Sequence, residues 1–561
     1  MTFVGEGADR VFIDASGVSR AFDVQDVSFG LYGCTVFGAS TCVMIQWDDD
    51  ARDYAASLQG NAIHSAREPD TGVSVILSGT YGEVDIIGNA IHDNFGFGIS
   101  FYLSTNAELF STILDNDIYD NTGTGISLVA DGSKVGMSIE KNMVYGNGTL
   151  TNNTGVYASF LHTDVEYLSI EGNAIHDNHG DGIHIVFTGM TEAPPTDGAV
   201  MVIAETLDIS GNEIVRNVGN GIAIELDFLP PAPEGQGTFP FDVVGIHSEA
   251  VIADNRIDDN ALAGILIDTN TCFSPELHDG VPQKVAFIHF DVFIEKNLVR
   301  GNGSGGIYCN APFNIGIFNN LIAGNGGQAH GVSIRADSVS FWHNTVTGNS
   351  TGVFFGANFT FFNNIIASNN SFGIATLSGS PLDGNGMIGM FAHNDVWGNG
   401  CSGADNYYGF PDMTGLNGNI SADPRFTGQY DAHLQVGSPC IDSGWKDGVY
   451  PFVQDDLEDT PRPLGMGFDM GCYEFRPTSW TPYILFPPAM TQLGRANAFW
   501  DCIKEQLPED IADPAHAEAL ALVEEIQAVM ARAGSLTNPV TINGLMNEAQ
   551  ALMAQLDALL Q

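Results

Sequence analysis

The sequence predicts an all-β solenoid, a parallel β-helix of about 12 or more coils over residues 1–420. Three observations carry this: an Asn/Gly phrase that recurs, a period-two apolar pattern inside it, and copies too closely spaced to hold helices between them. The fullest copy is "NAIHDNHGDGIHIVF", Asn173 to Phe187. It returns as "NAIHDNFGFGISF" at Asn89, "NDIYDNTGTGISL" at Asn116, "NEIVRNVGNGIAI" at Asn212 and "NRIDDNALAGILI" at Asn255. Looser copies start at Asn61, Asn142, Asn297, Asn320, Asn344, Asn364 and Asn394, so the interval runs from 20 to 43 residues. Units this small cannot bury a core alone and must stack.

Within a copy, Ile183, Ile185 and Phe187 fall on one side, with His184 and Val186 on the other. Alternation means strand, and strands of three to five residues ended by Asn or Gly mean a coil bent at fixed corners. Asn and Gly suit such corners because both tolerate left-handed backbone angles, and stacked Asn amides can bond one another. The N-x-[IVL]-x-x-N…G-[IV] repeat, from about Phe3 to Asn399, resembles the right-handed parallel β-helix repeat of the pectate-lyase-like superfamily. That resemblance implies a right-handed coil. Its members include polysaccharide lyases, glycoside hydrolases and epimerases beside non-catalytic surface proteins. No Asp-Pro-His-Glu run of the alginate epimerases is present.

Beyond the solenoid, "DPRFTGQYDAHLQVGSPCIDSG" (Asp423 to Gly444) and "DDLEDTPRPLGMGFDMGCYEF" (Asp455 to Phe475) resemble the choice-of-anchor module of secreted β-helix proteins. The resemblance implies a small cap or anchor over 421–476, extracellular or cell-surface localisation, and a disulfide between Cys440 and Cys472. A second disulfide is expected between Cys34 and Cys42, which flank the tight "GCTVFGASTC" loop. A linker over 477–490 leads to an α-helical tail over 491–561. Asp513 and Pro514 open one helix with the stripe Leu520, Val523, Ile526 and Met530, and Asn543 caps another. The tail packs on itself, docks on the solenoid, or meets a partner protein.

With 68 acidic against 19 basic residues, the formal charge is −49, which excludes nucleic acid and anionic membranes as partners. A polyanionic polymer needs a bridging divalent ion at such a surface. Calcium is therefore the one cofactor left open, and none is required. Charged residues at 16% against hydrophobic ones at 44% suit a long ordered core rather than disorder. No apolar run reaches transmembrane length, and residues 1–20 hold no signal-like segment but read as mid-solenoid, so export predicts a truncated N-terminus.

Stacking turns recurrent positions into columns about 4.8 Å apart. The third residue after each Asn gives His64, His92, Tyr119, Tyr145 and His176, and the fourth gives Asp93, Asp120 and Asp177. The apparent metal cluster of His176, Asp177, His179, Asp181 and His184 is thus mostly repeat, and no metal ligand is assigned. Two residues past each Gly corner lie Tyr157, His184, Ala223, Leu266, Tyr308 and Ser333, and four past it lie Glu225, Asp268, Asn310 and Arg335 on consecutive coils. Two carboxylates held about 5 Å apart resist ionising together and suit acid/base work. Glu225, Asp268, His184 and Tyr157 are therefore the catalytic candidates.

Arg335, Asn310, Tyr308, Phe228 and His278 are the substrate-binding candidates. Phe228 and His278 belong to long insertions after the strands on three adjacent coils, where function concentrates on a rigid scaffold. Two readings follow. One is an exported β-helix that binds polysaccharide or cell-surface glycan in this groove and cleaves or modifies it as a lyase, hydrolase or epimerase. The other is a non-catalytic structural or adhesion protein in which the solenoid is a spacer.

Overall fold

The computed structural model describes residues 1–49, 52–67, 71–149, 153–161, 163–188, 206–227, 246–269, 288–311, 314–327, 330–336, 338–356, 358–376, 391–400, 405–409, 411–428, 431–445, 453–476, 521–523 and 526–528. Among them are three parallel sheets of 14 strands each, every strand pairing with the third strand before and after it. One coil runs through Asp164–Glu171, Ala174–His176 and Ile183–Thr188. The next, Thr206–Ser210, Glu213–Val215 and Ile222–Asp227, lies on it in register. Ile183, Ile185 and Phe187 point inward and are buried in one continuous apolar core.

The corners explain the phrase. At each of the twelve repeat asparagines, the residue before it and the residue four after it have positive φ, as Gly172 (65°) and Asp177 (55°) do around Asn173. A side chain with a Cβ is strained there, and Gly, Asn and Asp bear it best. Asp93 (52°) and Asp120 (52°) fill the same bend. The carboxylate column is therefore a consequence of backbone conformation.

Two buried asparagine ladders line these corners. In the first, Asn173 Nδ2 donates to Asn212 Oδ1 (3.0 Å) and to the Ile139 carbonyl (2.8 Å), and Asn212 Oδ1 also takes the Asn173 backbone N–H (2.9 Å). The second follows five residues later: Asn178 Nδ2 donates to Asn217 Oδ1 (3.0 Å) and the Val144 carbonyl (2.9 Å). The first passes from Asn61 to Asn419 and the second from Asn94 to Asn406. Each amide thereby satisfies corner groups that burial would otherwise leave unpaired at a cost of about 1–3 kcal/mol each.

Outward, the second sheet carries the ring column. Phe37, His64, His92, Tyr119, Tyr145 and His176 stack at centroid distances of 4.6–5.4 Å. Because each ring faces its neighbours in the column, the faces are spent on one another and only edges remain for solvent. A sugar ring needs a free face, so this column serves the stack.

From Leu298 onward apolar residues enter the outward positions of that sheet beside Arg300, Thr345, Thr347 and Asp395, and the C-terminal segment packs on them. Leu321 and Ala323 pack with Ala432, Leu457, Cys472 and Tyr473, while Ile365 and Ala367 pack with Leu434, Cys440 and Met470. The segment thus lies along the flank of the late coils. Its anchor is Arg462, fully buried, which donates to Glu474 Oε1 (2.7 Å), the Gly471 carbonyl (2.9 Å) and Asn319 Oδ1 at a solenoid corner (3.1 Å). A second anchor is Asp395, which accepts from the Ala422 N–H (3.0 Å) and the Cys440 thiol (3.3 Å).

Both expected disulfides are corrected, since Cys34, Cys42, Cys440 and Cys472 are buried free thiols. Cys34 sits before the strand Thr35–Phe37 and donates to the Tyr32 carbonyl, whereas Cys42 lies within Thr41–Trp47 and faces the His64 carbonyl. The loop's ends therefore belong to different sheets. Cys440 and Cys472 enter separate apolar clusters over different coils. The linker over 477–490 lies outside the described residues. So does the tail apart from helical turns at 521–523 and 526–528, where Val523 and Ile526 are buried.

Asn217→Ala strands the Ile175 carbonyl and the Asn178 N–H. It is expected to cost about 2–3 kcal/mol, read as a lower urea midpoint and lost amide protection in the flanking coils. Val218→Ala, at an exposed neighbour, is expected to change stability by under about 0.5 kcal/mol.

Burial pushes the Asp395 carboxyl up to about 7, against the Ala422 N–H and the Cys440 thiol, which pull it down. A carboxyl raised in the folded state stabilises below the ordinary carboxylate range, and this is lost as pH rises through about 7. Asp395→Asn is expected to flatten Tm against pH over roughly pH 4–7. An unaltered profile would count against the anchor.

Candidate functional site

The third sheet presents its outward columns without cover from the C-terminal segment among the described residues. Its strands Val156–Leu161, Ile183–Thr188, Ile222–Asp227, Ile265–Thr269, Ile307–Asn310 and His330–Arg335 are consecutive neighbours. Backbone register places Glu225 against Asp268, Asp268 against Asn310, and Asn310 against Arg335. Tyr157 stands against His184, and Leu266 against Tyr308. The columns form because the Gly corner starts every strand at the same phase: Gly182, Gly221 and Gly264 each lie so close under the next coil that an added Cβ would sit 2.6–2.8 Å from its backbone oxygen.

His184 is the centre of one cluster. Its Nδ1 lies 3.0 Å from Asp181 Oδ2, and its Nε2 lies 3.6 Å from Glu225 Oε1. The second distance exceeds hydrogen-bond length, and Nε2 has no hydrogen-bond partner among the described residues. Burial lowers the pKa of this half-buried imidazole, yet Asp181 and Glu225 outweigh it and the net shift is upward. Tyr157 meets the ring edge-on at 5.7 Å. Asp181 is itself held by Asn220, whose side-chain Nδ2 donates at 3.0 Å and whose Oδ1 takes the Ala263 N–H at 3.0 Å.

A second cluster lies further along. Asn310 Nδ2 donates to Asp268 Oδ1 (2.8 Å), and the exposed Arg335 follows on the next coil with no ion-pair partner among the described residues. Tyr308, 36% exposed, has a pKa raised by burial and then by Asp268, with Arg335 opposing. The two carboxylates thus engage opposite neighbours, Glu225 toward His184 and Asp268 toward Asn310. His184 and Arg335 stand four coils apart, roughly 19 Å at the spacing of parallel strands. Phe228 and His278, with the three insertions they belong to, lie outside the described residues.

Sequence reasoning named Asp181 only within the discounted metal cluster and missed Asn220. The signal was the residue immediately before each Gly corner, which stacks like the strand residues: the Gly182 N–H bonds the Asn220 carbonyl, and the Gly221 N–H that of Ala263. Among the described residues no group of three or more His, Cys, Asp or Glu side chains is placed to hold a metal.

Residues 23–193 match the family model described as a right handed beta helix region. No curated protein matches the sequence. Solved structures similar to it include the A-module of the mannuronan C-5 epimerase AlgE4 from Azotobacter vinelandii, at 12% identity, with 73% of this chain and 86% of that one covered and a TM-score of 0.29. Pectate lyase Pel9A is 11% identical, with 79% and 88% covered and a TM-score of 0.30. The A-module of AlgE6, from the same bacterium, is 13% identical, with 66% and 91% covered and a TM-score of 0.27. Three in-register parallel sheets make the chain a parallel β-helix, and the repeat match over 23–193 is to a right-handed one.

Proposed function

We propose that the outward face of the third sheet binds an extended polysaccharide across the coils from Tyr157 to Arg335, with His184 moving a proton at a bound sugar. The observation that carries the reading is the His184 imidazole. One nitrogen is held by a braced carboxylate, and the other, unbonded and buried, lies 3.6 Å from the partly exposed Glu225, which stands between it and a bound sugar. Asp181 fixes the ring's orientation and favours its charged form, and an oriented imidazole is the commonest general acid or base. Glu225 and Tyr157 flank the reacting position. Asp268, Asn310, Tyr308 and Arg335 grip sugars further along, Arg335 by pairing an acidic group. Proton transfer at a sugar carbon or at a leaving oxygen serves lyase, epimerase and hydrolase alike, so the reaction class is left to the product. The setting, on this reading, is outside the cell, where such polymers lie.

Two tests address it. Incubation with a panel of uronate and neutral polysaccharides, with and without calcium, is expected to yield product. His184→Asn should lower kcat/KM by about 10²–10⁴-fold, while Arg335→Gln should raise KM with little change in kcat. Absence of both product and retention on every polysaccharide would leave the spacer reading in its place.

The second test concerns pH. With His184 acting in its protonated form, activity falls as pH rises through its raised pKa. Asp181→Asn removes the largest raising influence, so both that limb and the imidazole titration followed by NMR should move to lower pH. A titration that stays in place would remove Asp181 from the account.

A further inference from the structure

A second recess lies on another face, where the C-terminal segment meets the late coils. Thr347, Ser368 and Trp397 from the solenoid, with Asp423, Arg425, Phe426 and Gln435 from the segment, line a half-open recess of about 650 Å³. Sites for small ligands run from about 300 to 1,000 Å³. Trp397 and Phe426 are partly buried against the same apolar cluster, which leaves part of each ring at the cavity wall. Asp423 and Gln435 also line it, the Gln435 Nε2 donating to the Phe426 carbonyl (2.8 Å).

Arg425 decides the chemistry. The Asp423 carboxylate accepts the Arg425 N–H (2.9 Å), and Arg425 takes φ 54°, so the turn directs where its side chain leaves the backbone. Cations are scarce in this chain, 19 against 68 acidic residues, and most described ones are spent. Arg216 pairs with Asp177, Arg300 with Asp258, Lys296 with Asp455 and Asp459, and Arg462 with Glu474. Arg425 is exposed and pairs with no acid among the described residues. In a field of −49, an unpaired guanidinium beside an aromatic wall is a place where an anion can be held, and its planar fork matches a carboxylate in two-point fashion.

We propose that this junction cavity binds an acidic sugar, Arg425 pairing its carboxylate while the apolar face of the ring lies against Trp397. The site stands on its own geometry and does not depend on the third-sheet strip. Occupancy would bridge solenoid and segment, tying the segment more firmly to the flank.

The test titrates the full chain with trigalacturonate, and with cellotriose as the neutral trisaccharide of equal length, by calorimetry and by tryptophan fluorescence. The expected result is binding of the acidic trimer alone, with a fluorescence change absent from Trp397→Phe and an affinity lowered at least about tenfold in Arg425→Gln. Arg335→Gln should retain the fluorescence change. Arg425 is exposed, so its variant keeps the test sound even if Trp397→Phe perturbs packing; equal Tm values check this. Failure to bind trigalacturonate, equal binding of cellotriose, unchanged affinity in Arg425→Gln, or loss of the fluorescence change in Arg335→Gln would each overturn the proposal. The last would assign the ligand to the third sheet instead.

Discussion

Everything in this molecule depends on the asparagine ladders. A coil of three short strands offers few hydrogen bonds at its bends, and its bends are buried. By donating once to the next amide and once to a carbonyl of the preceding coil, each Asn satisfies the corner and clamps three successive layers. Two ladders, five residues apart, hold both ends of each second-sheet strand from Ala90–His92 to Asp395–Trp397, so neither bend can slip there without breaking a row of buried bonds. A slip by one residue would also turn every core side chain outward. The register of the solenoid is therefore over-determined, even though the number of residues per coil varies twofold.

That rigidity lets the outside vary. The same outward column of the second sheet is an aromatic stack over the early coils and a docking floor for the C-terminal segment over the late ones. On the third sheet the columns carry Tyr157, His184, Glu225, Asp268, Asn310 and Arg335 instead. Inward residues hold the scaffold, and outward ones are free to differ coil by coil. A site built this way draws each member from a different repeat, which is why its residues lie far apart in the chain and adjacent in space.

Much of this was legible. Spacing of nine between Asn and Gly was enough to set the phase of the third sheet, and from that the Glu225–Asp268–Asn310–Arg335 line followed by counting. The parity rule that found the line stopped at the strand's first residue, so Asp181, one step earlier at the corner, was passed over. Side-chain direction was equally out of reach: backbone register puts Glu225 beside both Val186 and Asp268, and only the full structure turns its carboxylate toward His184. Cys34 and Cys42 misled because loop length says nothing of which sheet each end joins, and Cys440 and Cys472 because the resemblance does not fix which coil each packs on. Docking of the C-terminal segment was hidden because Leu321, Ala323, Ile365 and Ala367, read alone, pass for tolerated variation in a repeat.

The central claim is that distant repeats lie directly on one another in the register described. A pair of cysteines reports this most directly. Glu225→Cys with Asp268→Cys sets two partners on neighbouring parallel strands, at a Cα separation of about 5 Å that a disulfide spans. Glu225→Cys with Leu266→Cys offsets one partner by two residues along the strand, beyond the limit of about 7 Å. Under mild oxidation, peptide mass spectrometry should find the first cross-link in high yield and not the second. A cross-link in the offset pair, or in neither, would contradict the stacking on which fold and site both rest.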